Sequence, residues 1–198
     1  TIFGGSSSAS GSNVKTLGIP WSHNYYQGIG IWSGTVRLIR NNGQQFFFNL
    51  VSSTWKPDTD VNYTLIELKD TAGVRTGWKV TTPNDSVETY NAIGDLLTLT
   101  ERTGISQTLS YSCNTVSATC PVVTPTSVAP YAGLLTKVTD TFGNSLNFTY
   151  NTLGQMTTMT DPAGNVTTYS YDASGNLKTV TYPDETPTIS TDNPKKTY

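Results

Sequence analysis

Hydrophobic and polar residues alternate in short runs along most of the chain. The run 146–150 places Leu146, Phe148 and Tyr150 on one side of an extended strand and two polar residues on the other. Such runs are rich in Thr, Val, Tyr and Leu, the residue types that favour strands. No apolar stripe with the period of a helix persists for more than two turns, so the pattern predicts strands throughout.

Turn phrases separate these runs at a regular spacing. Gly143, Gly154, Gly164 and Gly175 make the intervals 11, 10 and 11 residues. The phrase Asp161-Pro-Ala-Gly has the preferences of a type I turn that is closed by a residue at positive φ. Each interval therefore predicts one strand of about six residues and one turn.

A phrase that begins with tyrosine recurs with a period of 21 residues. It starts at Tyr150 and at Tyr171, and a more divergent copy starts at Tyr90. The residues expected to form the repeat turns and their packing are Tyr90, Gly94, Gly104, Tyr111, Gly143, Tyr150, Gly154, Asp161, Gly164, Tyr171 and Gly175. A single hairpin is barely stable, so we predict that the hairpins pair into a continuous, curved antiparallel sheet, an all-β fold with essentially no helix.

The repeats divide the chain into five segments. They are a flexible Gly/Ser-rich lead (1–16), a β segment before the repeats (17–79), a divergent repeat (80–111), an inserted loop (112–133) and the remaining repeats (134–198). The closing Thr197-Tyr198 matches the start of another repeat, so we expect a fragment that is cut in mid-repeat.

The segment before the repeats contains a predicted hairpin. Asn42-Gly43 precedes an apolar run that includes Phe46, Phe47 and Phe48. Three successive phenylalanines cannot all share one side, so we expect both faces of this strand to be covered.

Four ring-bearing side chains fall within six residues near the start of this segment. They are Trp21, His23, Tyr25 and Tyr26. The cluster is either an aromatic plug over the first exposed edge of the repeat sheet or a platform for a ligand.

The balance of basic and acidic residues argues against a nucleic-acid partner. The chain has 12 Lys and Arg against 14 Asp and Glu in 198 residues, which is not the basic footprint of a nucleic-acid-binding protein. No run of 18 apolar residues occurs, so no helical membrane span is expected.

Cys113 and Cys120 are the only cysteines. They form either a local disulfide or two free surface thiols. A disulfide would add about 2.5 kcal/mol in the loop-entropy description and would favour an exported protein. Zinc is not expected, because it needs four ligands and the single histidine, His23, is distant in sequence.

The recurring phrase Tyr-Asp/Asn-x-x-Gly-x-Leu/Met resembles the RHS or YD repeat. The resemblance covers residues 17–198 and is strongest over 135–184. It implies a β-ribbon that spirals into a hollow shell, which encloses a C-terminal toxin in bacteria and serves adhesion in animals. The self-cleaving, protease-like segment of such shells has no match here, since Asp161-Pro162-Ala163-Gly164 belongs to a repeat turn.

We therefore expect a non-catalytic structural module of a secreted or cell-surface bacterial protein, whose partners are further repeats of the same chain. The alternatives are a carbohydrate-binding adhesion module, with the repeat tyrosines stacked on glycan rings, and a filament subunit that self-associates through open sheet edges. Carboxylate pairs such as Asp58 with Asp60, or Asp70 with Asp85, are attributed to turns rather than to hydrolysis. No catalytic residue, cofactor or metal ion is predicted.

Overall fold

A computed structural model describes residues 16–18, 21–114, 128–184 and 192–198. These residues form fifteen strands and no helix. The strands are β1 Gly28–Trp32, β2 Thr35–Ile39, β3 Gln45–Val51, β4 Thr54–Pro57, β5 Thr64–Lys69, β6 Arg75–Thr81, β7 Val87–Asn91, β8 Leu96–Thr100, β9 Ser106–Tyr111, β10 Leu135–Asp140, β11 Ser145–Tyr150, β12 Met156–Thr160, β13 Val166–Tyr171, β14 Leu177–Thr181 and β15 Lys195–Thr197.

The strands make two antiparallel sheets. The small sheet has the order β1-β2-β3-β4, and the repeat sheet runs without a crossover from β5 to β15. Within each sheet every strand pairs with its neighbours in sequence, and β5 and β15 do not pair with each other, so the repeat sheet is not closed into a barrel. The predicted all-β fold is therefore confirmed.

Nine turns share one backbone geometry. In the turn 140–144, the Asp140 N–H donates to the Asn144 carbonyl (2.9 Å) and the Gly143 N–H donates to the Asp140 carbonyl (3.1 Å). The same two bonds close the turns 40–44, 70–74, 82–86, 91–95, 101–105, 151–155, 161–165 and 172–176. Gly143 has φ +89°, a left-handed conformation that glycine adopts without steric cost. Eight of the nine turns are thus the hairpin connection in which a type I turn is followed by a glycine bulge, and in the turn 82–86 Asp85 takes the glycine position at φ +63°.

The small sheet packs against one face of the repeat sheet, and the two share a core. Trp55 of β4 meets Trp78 of β6 edge to face, with ring centroids 5.5 Å apart. Phe46 of β3 packs on Tyr63, which precedes β5, at 4.7 Å. Alternation explains the core, since Val36 and Leu38 point inward from β2 and are fully buried.

The expectation that β3 is covered on both faces is wrong. Phe48 faces the core and is fully buried, but Phe47 points the other way and is 44% exposed. The small sheet has the repeat sheet on one side only, so its outer face is open to solvent.

The structure also places the predicted segments in space. The segment 17–79 contains all of the small sheet and also β5 and most of β6, which belong to the repeat sheet. Within the predicted loop 112–133, residues 115–127 lie outside the described part. Its last residues pack back on the repeats, because Ala129 is fully buried and the Val128 carbonyl accepts from the Tyr150 N–H (2.9 Å).

Candidate functional site

Three repeat tyrosines donate their hydroxyl to a backbone carbonyl 15 residues earlier in the chain. The bonds run from Tyr111 to Leu96 (2.9 Å), from Tyr150 to Leu135 (2.5 Å) and from Tyr171 to Met156 (2.7 Å). Each acceptor begins the second strand of the preceding tyrosine hairpin. Each tyrosine therefore ties its own hairpin to the one before it. We refer to Tyr90, Tyr111, Tyr150 and Tyr171 as the tyrosine ladder.

A bulge accompanies the tyrosine in three of these hairpins. The register shifts between Thr89 and Tyr90, between Thr149 and Tyr150, and between Ser170 and Tyr171. A bulge bends its strand and increases the local right-handed twist. Successive turns of a meander alternate between the two ends of its strands, so these three bulges lie at the same end of the repeat sheet, which we call its bulged edge.

The ladder tyrosines belong to the core. Tyr90 and Tyr150 are buried, and Tyr111 and Tyr171 are half-buried against neighbouring strands. Burial raises the pKa of the Tyr150, Tyr111 and Tyr171 hydroxyls far above the ordinary tyrosine value. The buried rings of Tyr90 and Tyr150 are therefore not available for stacking on a sugar ring.

Tyr90, the first member of the ladder, has a different acceptor. Its hydroxyl donates to Glu88 Oε2 (2.7 Å), and the same oxygen pairs with Arg40 Nη1 at 2.6 Å. The Glu88 side chain is 3% exposed and the Arg40 side chain 16% exposed. Because Arg40 lies in the turn between β2 and β3, this buried ion pair joins the small sheet to the start of the ladder.

Two polar clefts flank this ion pair, and Arg40 and Glu88 line both. One is about 430 Å³ and adds Tyr25 and Gln107 to its wall. The other is about 420 Å³ and adds Tyr63. The second cleft is also lined by the Glu101 carboxylate, so it is more acidic than the first.

Backbone contacts complete the junction between the sheets. The Ile29 N–H of β1 donates to the Gly94 carbonyl at 2.9 Å. Gly94 has φ +99°, and a Cβ atom there would lie 2.0 Å from the Ile29 carbonyl oxygen. Only glycine allows β1 to approach the ladder turn 91–95 this closely.

A second chain segment contacts the bulged edge further along the sheet. The Thr16 carbonyl accepts from the Met156 N–H (2.8 Å) and from the Tyr171 hydroxyl (3.1 Å). Thr16, which the sequence places in the flexible lead, is thus buried beside the ladder. Residues 1–15 lie outside the described part of the chain.

The four predicted aromatic-cluster residues divide into two groups. His23 lies near Tyr25 and Tyr26, with ring centroids 6.3 and 6.4 Å away. Burial lowers the pKa of His23 to about 4, so its ring is neutral at pH 7, and Nδ1 accepts from the Tyr25 N–H (3.2 Å). Trp21 instead packs on Tyr198 at 4.5 Å, next to the last strand of the repeat sheet rather than the first.

The turn carboxylates serve the backbone. Asp161 Oδ1 accepts from the Asn165 N–H and Oδ2 from the Asn165 side-chain amide, both at 2.8 Å. The Asn165 side chain, followed by backbone N–H groups, lowers the pKa of Asp161. Asp70 similarly accepts from the N–H groups of Ala72 and Val74, and it lies at the opposite end of β6 from Asp85, so these two do not form a carboxylate pair.

The described ranges contain few other candidate functional groups. They hold no group of three His, Cys, Asp or Glu side chains arranged for a metal ion, and no helix long and apolar enough to cross a membrane. Cys113 follows β9 and is not a free thiol. Cys120 lies outside the described residues, so the pairing of the two cysteines stays a prediction.

Sequence reasoning located the ladder tyrosines but missed their partners. It also missed Arg40 and Glu88, which are 48 residues apart and carry no motif. The one available signal was a glutamate at an inward position of an alternating strand, two residues before Tyr90, where an apolar residue is expected.

One family model and several solved structures are similar to this chain. The model of the RHS repeat matches residues 131–166 and 150–187. The crystal structure of TcdB2-TccC3-Cdc42 is similar at 14% identity and a TM-score of 0.36, covering 83% of this chain and 11% of its own. That of TcdB2-TccC3-TEV is similar at 12% identity and a TM-score of 0.29, covering 86% of this chain and 12% of its own. This chain thus spans about a tenth of either length, and no curated protein sequence matches it. Residues 131–187 of this chain thus match the RHS repeat.

Proposed function

We propose that this chain is a wall segment of a shell that encloses or presents a C-terminal toxin or effector. The observation that carries the proposal is the tyrosine ladder with its bulges on one edge. Repeated bulges of one sense curve a ribbon steadily, and identical links between hairpins let it extend by adding repeats. A wall needs those two properties and no reaction centre.

Within such a wall, the small sheet acts as a cap for the first repeat. Repeat arrays need a terminal unit that covers the end of their core. The small sheet supplies that cover through Trp55, Ile29 and the Arg40–Glu88 ion pair. Tyr90, which bonds to Glu88 instead of a preceding hairpin, marks where the ladder begins.

Protease protection tests the enclosure in the full-length protein. We expect the segment after the repeats to resist digestion until denaturant opens the repeats, and electron microscopy to show a hollow particle. Replacing Tyr150 and Tyr171 by Ala should expose that segment at lower denaturant, whereas the exposed Tyr182→Ala should not. A solid particle, or digestion equally fast in all three proteins, would refute the enclosure.

We further propose that the protein acts outside the cell or at its surface, as suits a delivered or displayed shell. Thiol titration before and after reduction tests the associated disulfide between Cys113 and Cys120. Two reactive thiols should appear only after reduction. Two reactive thiols in the native protein would remove this support for export.

A further inference from the structure

The outer face of the small sheet carries an aromatic and cationic surface, on which Trp32, Phe47 and Lys56 are exposed and Arg37 is half-buried. Trp32 and Phe47 are each 44% exposed. The Trp32 ring folds back over Gly30, where a Cβ atom would lie 2.6 Å from the ring. The Arg37 guanidinium stacks on the Trp32 ring at 4.8 Å from its centroid. We refer to Trp32, Arg37, Phe47 and Lys56 as the basic face.

The basic face has no acidic residue of its own. Strands β1–β4 contain no Asp or Glu, and Arg37 and Lys56 take part in none of the ion pairs among the described residues. Arg37 has a side-chain amide, Gln45, as its hydrogen-bond partner at 3.3 Å. The surface therefore matches a partner that is acidic and partly apolar, the composition opposite to its own.

The row of turns at one end of the repeat-sheet strands has that acidic and partly apolar composition. The turns 82–86, 101–105, 140–144 and 161–165 lie side by side there, and a bond from the Ser106 N–H to Thr141 Oγ1 (2.7 Å) joins two of them. Phe142 at the tip of its turn is 76% exposed, and Ile105 beside it is 43% exposed. These four turns carry four carboxylates and one cation, namely Asp85, Glu101, Asp140, Asp161 and Arg102. We refer to this surface as the acidic edge.

The two surfaces reflect a charge division along the whole chain. All 14 acidic residues follow Pro57, whereas four of the 12 basic residues, Lys15, Arg37, Arg40 and Lys56, precede it. Residues 1–57 thus carry four positive charges, and residues 58–198 carry six more negative charges than positive ones.

We propose that the basic face of one molecule binds the acidic edge of a second copy. The two surfaces cannot meet within one molecule, because the basic face points away from the repeat sheet on which the small sheet packs. Phe142 would contact Trp32 and Phe47, and Glu101 would face Arg37. Different surfaces in contact make a head-to-tail arrangement, which extends into a filament when it does not close into a ring.

This contact differs from pairing between open sheet edges. The edge strand β15 carries Lys195 and Lys196, and the edge strand β5 carries Glu67 and Lys69. Charges on an edge strand oppose the addition of a further strand. The inference goes beyond the proposed enclosure and does not depend on it, since it concerns surfaces of this chain alone.

Sedimentation velocity over a concentration series tests the contact. The wild type should self-associate, and added salt should weaken the association because the contact opposes charges at the protein surface. Phe142→Ser should require at least about tenfold more protein for the same degree of association. The matched control is Leu153→Ser, a turn tip on the opposite edge that is 73% exposed.

Exchanging the charges of the two surfaces provides the decisive test. Arg37→Glu and Glu101→Lys should each weaken association when tested separately. Mixing the two variants should restore it, because the changed face of one then meets the changed edge of the other. A monomer at every concentration, equal losses from the two Ser variants, or no recovery in the mixture would overturn the proposal.

Discussion

The repeat sheet uses one set of contacts again in each tyrosine hairpin, whereas the small sheet meets it through contacts that occur once. Within the repeat sheet, a tyrosine hydroxyl, a bulge and a glycine turn recur in successive hairpins. At the junction, a buried ion pair and one close backbone approach take their place. Tyr90 belongs to both regions, since it has the position of a ladder residue and the partner of a junction residue.

The difference indicates where the molecule is sensitive to substitution. A ladder contact has equivalents in neighbouring hairpins, so its loss removes one link of several. The junction contacts have no equivalent among the described residues, and they involve buried charge, for which removing one partner is especially unfavourable. We therefore expect the largest effects at the junction and smaller ones along the repeats.

The largest loss is expected for Arg40→Met, which leaves the Glu88 carboxylate buried without its cation. Breaking a buried ion pair in this way costs about 3–5 kcal/mol of the free energy of unfolding. Urea denaturation at pH 7 measures the change.

Two controls show whether buried charge is the cause. Adding Glu88→Gln to Arg40→Met should recover much of the loss, because the amide oxygen still accepts from Tyr90 and no charge remains. Arg102→Met removes a pair in which both side chains are more than two-thirds exposed, at 3.9 Å, and should change stability little. Equal losses in Arg40→Met and Arg102→Met would contradict the account.

Substitutions at two glycines with similar φ angles distinguish the junction from an ordinary turn. Gly164→Ala should cost about 1–2 kcal/mol, the strain of a left-handed residue, since nothing lies within 4 Å of its Cβ position. Gly94→Ala should cost a further ~1–3 kcal/mol, because its Cβ would collide with the Ile29 carbonyl. Thermal and urea unfolding of the two variants, measured side by side, should rank them in that order. Equal costs would mean that β1 does not approach the turn closely.

A ladder hydroxyl should matter less than the junction charges. Tyr150→Phe leaves the buried Leu135 carbonyl without its donor and should cost about 1–3 kcal/mol. Tyr182→Phe, at an exposed tyrosine, should stay within about 0.5 kcal/mol of the wild type. Denaturant midpoints of both variants provide the comparison, and a Tyr150→Phe protein as stable as the Tyr182→Phe protein would show that the ladder bond contributes nothing.

The smallest effect concerns a turn carboxylate. The pKa of Asp161 is lowered in the folded state. Its contribution to the free energy of unfolding is therefore present above the pKa of the unfolded chain, about 4, and is lost as the pH falls through the lowered pKa. Asp161→Asn should keep the turn, as Asn151 does at the equivalent position of another repeat, but should make the loss of stability below pH 4 shallower. An unchanged acid dependence would exclude a role for this titration.

The repeating part of the fold could be predicted because it depends on local rules. Alternation indicates the strands, and an Asp or Asn three residues before a glycine indicates the turns. The positions of Tyr150 and Gly164 follow directly from the 21-residue period.

The rest could not be predicted, because it depends on contacts between distant segments. Nothing in the sequence pairs Arg40 with Glu88 or Thr16 with Met156, and the exposure of Phe47 depends on which face of the small sheet meets the repeats. The acceptors of the ladder hydroxyls are backbone carbonyls, which leave no mark on the sequence.

Tyrosine ionisation, followed by ultraviolet absorbance together with circular dichroism, tests the ladder most directly. The folded state raises the pKa values of four tyrosines, Tyr90, Tyr111, Tyr150 and Tyr171. The protein therefore keeps its full free energy of unfolding below the ordinary tyrosine pKa of about 10, and loses part of it as the pH rises above that value. We predict that these four hydroxyls ionise only as the sheet unfolds in alkali, and that Tyr150→Phe removes one tyrosine from that step. Reversible ionisation of all eleven tyrosines near pH 10, with the circular dichroism spectrum unchanged, would contradict the account.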